Sequence, residues 1–289
     1  MNTLVIGGTG LVGAAITEQF KKAGHTVISA SRKSAHSFDL ENPASIDALL
    51  QQTTPDVVIL SAAYTHVDGC EEKKEYAWKV NVDGTQAIST ACDNRIKLVY
   101  VSTDYVFDGK NGPYTEDALP NPLNWYGKTK LAAEQLTQQH SQNLILRTTN
   151  VYDLGSDTKN FAARCIQTFK EGKTLKCPVD QYATPTWAQD FGLATRKLVE
   201  KNAAGIYNVV GPDYLNRVEF AQKVAKAFNY EASIESLSTA AFAQTAARPL
   251  KGGLTTEKLR SLISTPLHSL DTALELLKKD PSIAQLANP

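Results

Sequence analysis

Through the first half of the chain, short runs nearly continuous in Val, Ile and Leu alternate with stretches of helical periodicity. Thr3 to Ile6, Thr26 to Ala30, Asp56 to Leu60, Lys97 to Val101 and Leu144 to Arg147 read as strands. A run without polar alternation has no face to offer water, so each of these strands must be covered on both sides. Leu11 to Ala23, stopped by Gly24, Ala44 to Gln51, entered at Pro43, Glu71 to Cys92, and Leu123 to Gln139 read as the covering helices. Such alternation predicts right-handed crossovers and an α/β fold built on a doubly wound parallel sheet.

From about Asn150 onward the pattern loosens. Helices are expected at Asn160 to Lys170, Thr186 to Lys201, Arg217 to Phe228, Thr256 to Leu262 and Leu270 to Lys278, with short strands near Leu175 to Pro178 and Ile206 to Val209. We therefore divide the chain into residues 1–150 and a smaller, mixed α/β unit, residues 151–289. No linker rich in Pro, Gly and Ser separates them, so the second unit is expected to pack directly on the first and to share some strands or helices with it.

Composition removes several function classes. Lys plus Arg number 30 and Asp plus Glu 30, which leaves no basic surplus to displace counterions from a nucleic acid or to hold an anionic membrane. No run of eighteen apolar residues occurs, and the N-terminus enters a strand without a basic leader, so a cytoplasmic protein is expected. Cys70, Cys92, Cys165 and Cys177 are widely spaced and read as buried thiols, and the five histidines have no metal-ligand spacing, so no metal site is expected.

The first strand runs into Gly7-Gly8-Thr9-Gly10-Leu11-Val12-Gly13, which satisfies GxGxxG from Gly8 and GxxGxxG from Gly7. Glycines at a strand-to-helix turn let backbone N–H groups approach a pyrophosphate, where the helix dipole favours negative charge. Strand before and helix after place the motif in its Rossmann setting, so residues 1–150 are read as an NAD(P)-binding domain and the second unit as a substrate-binding lobe. At the end of the second strand, where an NAD site would offer an acid to the ribose, stand Ser31, Arg32 and Lys33, and no acid lies between Gly24 and Phe38. That charge suits a 2′-phosphate, so NADPH is expected, with NADH the alternative. The bland alternative is that Arg32 and Lys33 are solvated loop charges.

Tyr126 and Lys130, four apart, project from one face of a helix. An ammonium near a phenol lowers the phenol's pKa toward working pH, so the hydroxyl can exchange a proton with a carbonyl oxygen. The same spacing arises by chance on many helix surfaces. Here the preceding strand ends in Ser102-Thr103-Asp104-Tyr105, at the sheet edge where ligands of doubly wound folds bind.

With these residues the chain resembles the extended short-chain dehydrogenase/reductase family and, within it, the dTDP-4-dehydrorhamnose reductases. The match includes GGTGLVG, Ser61-Ala62-Ala63-Tyr64-Thr65 with Val67-Asp68, Asn81 on a helix, STDYVFDG from Ser102 and YGKTKLAAE from Tyr126. Later segments are Arg147-Thr148 with Val151-Tyr152, Asp180-Gln181-Tyr182 with Thr184-Pro185-Thr186, and Arg248-Pro249. The resemblance implies Tyr126 as general acid, Lys130 as the residue that binds the nicotinamide ribose and tunes Tyr126, and Thr103 on the reacting carbonyl. It implies Gly7, Gly10, Leu11 and Val12 on the pyrophosphate, Asp39 and Leu40 on the adenine, and Ala62, Ala63 and Tyr64 along the middle of the cofactor. Asn81 would support a proton relay to Lys130; Val67, Thr103, Asp104 and Tyr105 would face the sugar.

The family pattern departs at one place: where a substrate-contacting Trp usually precedes the Val-Tyr pair, this chain has Asn150, which puts the sugar in doubt. Arg248, with Thr184 and Pro185, is a candidate to hold a nucleotide diphosphate; for Arg248 an interdomain ion pair is an equal alternative. Trp125 either packs or lines the pocket. The expected function is NADPH-dependent reduction of a keto group, C4 first, of a nucleotide-linked deoxysugar for cell-surface polysaccharide precursors, by a monomer or homodimer. The rivals are a nucleotide-sugar epimerase or dehydratase, which would recycle a tightly held NAD, and a non-catalytic NADP-binding subunit like that of methionine adenosyltransferase.

Overall fold

The five apolar runs form the centre of one parallel sheet in the computed structural model, which describes residues 1–154, 160–281 and 283. In chain order the strands are β1 (Asn2–Ile6), β2 (Thr26–Ser31), β3 (His36–Ser37), β4 (Val57–Leu60), β5 (Lys97–Thr103), β6 (Leu144–Thr148), β7 (Val151–Tyr152), β8 (Leu175–Pro178), β9 (Tyr182–Ala183), β10 (Thr186–Trp187), β11 (Gly205–Asn208), β12 (Leu215–Asn216) and β13 (Ile234–Leu237). The main sheet has the order β3-β2-β1-β4-β5-β6-β11, parallel throughout. Strand order reverses between β1 and β4, so a crevice opens at their carboxyl ends.

The helices are α1 (Leu11–Lys22), α2 (Ile46–Thr53), α3 (Val67–Glu72), α4 (Lys74–Trp78), α5 (Gly84–Cys92), α6 (Trp125–Thr137), α7 (Phe161–Lys170), α8 (Ala188–Glu200), α9 (Arg217–Ala227), α10 (Glu257–Leu262) and α11 (Leu270–Lys278). Consecutive strand residues serve opposite cores, as two-sided cover requires: Leu4 and Ile6 pack with Leu60, Ile88 and Tyr100, whereas Val5 packs with Ile59, Phe20 and Phe191. Each such side chain contributes about 1.5–3 kcal/mol by leaving water. A third core, around Cys165, Phe169, Phe220, Phe228 and Leu274, belongs to the second half of the chain.

Three local expectations change. The helix expected over Glu71 to Cys92 begins earlier, at Val67, where the His66 ring accepts from Gly69 N–H at 2.8 Å, and it is broken at Lys73. A π-helical turn, Lys79–Asp83, then widens the spiral before α5. Thr186 opens β10, not a helix, and α8 starts two residues later. The strand expected at Ile206 to Val209 is β11, which pairs with β6 in the main sheet. With α8 packed on α1, residues beyond 150 thus complete the first half's sheet and its helical cover. Among the described residues no helix is long and apolar enough to cross a membrane.

Candidate active site

A cavity of about 500 Å³ lies at the carboxyl ends of β1, β2 and β4. It gathers Gly7, Gly10, Leu11, Val12, Ser31, Arg32, Asp39, Leu40, Ala62, Ala63 and Tyr64 from four separate segments. Gly7 adopts a φ of +89°, and a Cβ there would lie 2.6 Å from Ala62 N, so this turn admits only glycine. A Cβ at Gly13 would lie 2.2 Å from the Gly7 carbonyl oxygen, so α1 comes this close to the turn after β1 only because residue 13 is glycine. Gly10 caps α1 without a side chain, and no acid stands in its first turn. The first N–H groups of α1 therefore remain available to an anion at the positive end of the helix dipole. These features fit a dinucleotide pyrophosphate.

At the rim, Arg32 lines the cavity and Lys33 does not. Arg32 is 70% exposed and lies 3.9 Å from Glu41, an acid that also lines the cavity and accepts from the Tyr76 hydroxyl at 2.6 Å. Neither Glu41 nor Tyr76 is marked by any local pattern; the fold carries them there from the segment after β3 and from α4.

Tyr126 and Lys130 are both buried on α6, held at its start by Asn124, whose side chain accepts from Gly127 N–H at 2.8 Å. The Thr103 hydroxyl stands near the Tyr126 phenol and works against burial, favouring its ionised form. Its ring meets Tyr105 edge-on at 5.7 Å and packs in one cluster with Cys70, Tyr64 and Val67. Lys130 Nζ instead donates to the Val101 carbonyl at 2.7 Å and sits 4.0 Å above the Tyr100 ring. The expectation that Lys130 lowers the Tyr126 pKa is not met in this arrangement: burial dominates and pushes the phenol well above its ordinary value. Burial likewise brings Lys130 down to about 7, opposed by Glu134 one turn on. Tyr126 thus carries its proton across the physiological range, the form a proton donor needs.

Glu134 is itself buried and paired with Arg147 through two bonds, Nε to Oε1 at 3.0 Å and Nη2 to Oε2 at 2.7 Å. Asn81, on the π-helical turn, accepts from Tyr64 N–H at 2.7 Å and donates to the Tyr64 carbonyl at 3.1 Å and to Thr129 Oγ1 at 3.0 Å.

A second cavity, about 620 Å³, opens beside Tyr105. Val67, Tyr105 and Arg248 line it, as do Arg164, Lys176, Gln181, Arg217 and Gln244, which the sequence reading did not single out as site residues. Among the described residues, four cations and no carboxylate line this cleft in a chain of zero net charge. Arg248 is also ion-paired with Asp68 at 2.8 Å, so it both braces the second half and faces the cleft. Asn150 does not line the cavity but accepts from Arg217 Nη2. Asp104 is buried and turned to structure: Oδ2 accepts from Gly253 N–H at 3.1 Å and Oδ1 from the Thr103 hydroxyl at 3.3 Å. Burial raises its pKa. Thr184 accepts from Leu254 N–H at 3.1 Å, and the Pro185 carbonyl backs onto Gly211. Trp125 donates its indole N–H to the Lys74 carbonyl at 2.9 Å and packs against Trp78.

Residues 1–281 match the family described as the RmlD substrate binding domain. The chain is similar to the probable low-salt glycan biosynthesis reductase Agl14 of Haloferax volcanii, at 30% identity over 96% of this chain and 97% of that one. It is similar to methionine adenosyltransferase 2 subunit beta of Xenopus laevis, at 32% identity over 80% of this chain and 73% of that one. In structure it resembles a dTDP-4-dehydrorhamnose reductase from Bacillus anthracis solved with NADP, at 29% identity and a TM-score of 0.89, over 95% of this chain and 97% of that one.

Proposed function

The chain belongs to the RmlD substrate-binding-domain family, and from that premise we propose that it is an NADPH-dependent reductase of the extended short-chain type acting on a keto group, at C4, of a nucleotide-linked sugar in the supply of cell-surface polysaccharide precursors. The observation that carries this reading is the position of Tyr126: it packs against Tyr64, from the wall of the glycine-lined cavity, and against Val67 and Tyr105, from the wall of the cationic cleft. The proposed proton donor, which lines neither cavity itself, thus packs against the walls of both.

The glycine turn and the α1 N-terminus hold the dinucleotide's pyrophosphate, and Arg32 favours a 2′-phosphate. A dinucleotide held there would supply the hydride. Tyr126 gives its proton to the substrate oxygen, and the Thr103 hydroxyl, near the phenol, stabilises charge developing there. Lys130, one turn along α6, would be the residue that holds the nicotinamide ribose of a bound dinucleotide. The cleft's cations suit the diphosphate of the sugar nucleotide.

The test is oxidation of NADPH by the purified protein with dTDP-4-dehydrorhamnose, run beside NADH and Tyr126→Phe. Turnover that falls about 100-fold or more in the variant, with NADPH binding retained, supports the reading. The similarity to the Xenopus subunit favours a second reading, a non-catalytic NADP-binding subunit. NADPH binding without turnover of any keto sugar nucleotide would favour it.

A further inference from the structure

Arg217 is the first residue of α9, and its guanidinium forms part of the cleft wall beside Tyr105. It stacks 4.6 Å over the Phe161 ring and donates from Nη2 to Asn150 Oδ1. Among the described residues it forms no ion pair. The carboxyl most exposed to its charge, Asp104, is committed to Gly253 and Thr103 and has its pKa raised by burial. Asn150 is a neutral acceptor: it orients the guanidinium without cancelling its charge. The left-handed φ of +44° at Asn150 is one that asparagine tolerates, and it turns the chain at the end of β6. Asn150 follows Thr148 by two residues, and Thr148 is the register partner of Thr103. The held cation also feels Tyr105, whose ring meets that of Tyr126 edge-on.

A substrate that fills this cleft removes the remaining water from Arg217. Desolvating an unpaired guanidinium beneath a neutral group is unfavourable, whereas a fork of N–H donors matches a carboxylate or phosphate. Resting on the nucleotide-sugar reading above, we propose that Arg217, positioned by Asn150 and Phe161, is a specificity-determining residue that binds an anionic oxygen pair of the substrate. That pair is either the sugar-proximal phosphate or a carboxylate on the sugar.

The experiment is calorimetry of the full chain, with and without NADP, using UDP-glucose, UDP-glucuronate, inorganic pyrophosphate and D-glucuronate as probes. Wild type is compared with Arg217→Met, Arg217→Lys, Asn150→Ala and the rim variant Arg164→Met, and each variant's melting temperature is checked. Arg217→Met should weaken binding about 10- to 100-fold, Arg217→Lys and Asn150→Ala less, and Arg164→Met least. A loss shared by both nucleotide sugars and by pyrophosphate assigns the phosphate. A loss confined to UDP-glucuronate and D-glucuronate assigns the carboxylate. Equal affinities in wild type and Arg217→Met, equal losses in Arg164→Met and Arg217→Met, or no anion bound by wild type would overturn the inference. If wild type binds pyrophosphate or D-glucuronate through Arg217 but neither nucleotide sugar, it is the nucleotide-sugar reading that fails.

Discussion

Asn81 Nδ2 lies 3.0 Å from Thr129 Oγ1, and through that bond a residue of the π-helical turn is fastened to the helix that carries Tyr126 and Lys130. The same side chain takes both backbone groups of Tyr64, on the wall of the glycine-lined cavity. One buried amide therefore ties the wall of the glycine-lined cavity to the helix that carries Tyr126. Thr129 passes the constraint on, since its hydroxyl also donates to the Tyr126 carbonyl at 2.8 Å.

Replacing Asn81 with Ala removes the partner of the part-buried Tyr64 N–H and leaves the Tyr64 carbonyl only the weak Cys70 thiol at 3.6 Å, which costs about 1–3 kcal/mol. Thermal unfolding should show this as a lowered Tm, and kcat should fall more than the affinity for the sugar nucleotide. Asn81→Asp keeps the acceptor for Tyr64 N–H but loses both donations. A Tm and kcat unchanged in Asn81→Ala would mean that the amide is a spectator.

Arg32 and Glu41 face each other at the rim, so they act on a 2′-phosphate with opposite sign. Arg32→Ala should weaken NADPH binding about fivefold with little effect on NADH, because an exposed pair of this kind contributes roughly 1 kcal/mol. Glu41→Gln should tighten NADPH binding and leave NADH unchanged, while the amide oxygen still accepts from Tyr76. Both effects should shrink at high salt. Titrations of the two dinucleotides at two ionic strengths check this; an NADPH preference untouched in Arg32→Ala would contradict it.

Burial of Lys130 should make the stability of the cofactor-free protein depend on pH. Its folded pKa, about 7, lies below the ordinary 10.5, so between these values the unfolded chain binds the extra proton and stability rises with pH. Below about pH 7 the buried ammonium costs its full amount. Lys130→Met removes the charge, so its Tm relative to wild type should be highest in acid and decline as pH climbs through that window. A difference flat from pH 6 to about 10 would refute the assignment.

The strands and the glycine turn were legible in the sequence because they depend on near neighbours: a run such as Val57 to Leu60 is buried on both faces whatever its partners are. Glu41 and Tyr76 were not legible, since only tertiary folding brings the segment after β3 and α4 to one rim. The π-helical turn at Asn81 falls in Val80-Asn81-Val82-Asp83-Gly84-Thr85, weak helix formers inside a stretch that reads as one helix; what widens the spiral there accompanies bonds to Tyr64 and Thr129, both distant in sequence. Four-residue spacing correctly set Tyr126 and Lys130 on one helix but not where the ammonium reaches, which is Val101 and Tyr100. Arg217 left a single trace. A cation in the first turn of a helix opposes the dipole, and behind the Asn216 and Glu219 capping box that anomaly marks a residue kept for something other than helix stability.

The pair of Glu134 and Arg147 offers the sharpest separation of structure from tuning. Both are almost fully buried, and Arg147 also stacks over Phe107 at 5.1 Å and donates to the Glu116 carbonyl at 3.2 Å. Removing one partner leaves an uncompensated buried charge, so Arg147→Met should cost about 3–5 kcal/mol, whereas an apolar pair of similar volume at both positions should recover much of that loss. The two changes act differently on Lys130. Arg147→Met leaves the Glu134 carboxylate unneutralised, and since Glu134 favours the charged lysine, the Lys130 pKa should rise from about 7. The apolar pair removes that support and should lower it. The pH profile of kcat would then move to higher pH in the first variant and lower in the second, while Tm moves down in the first and recovers in the second. If both variants shift the profile the same way, Glu134 acts on Lys130 only through packing.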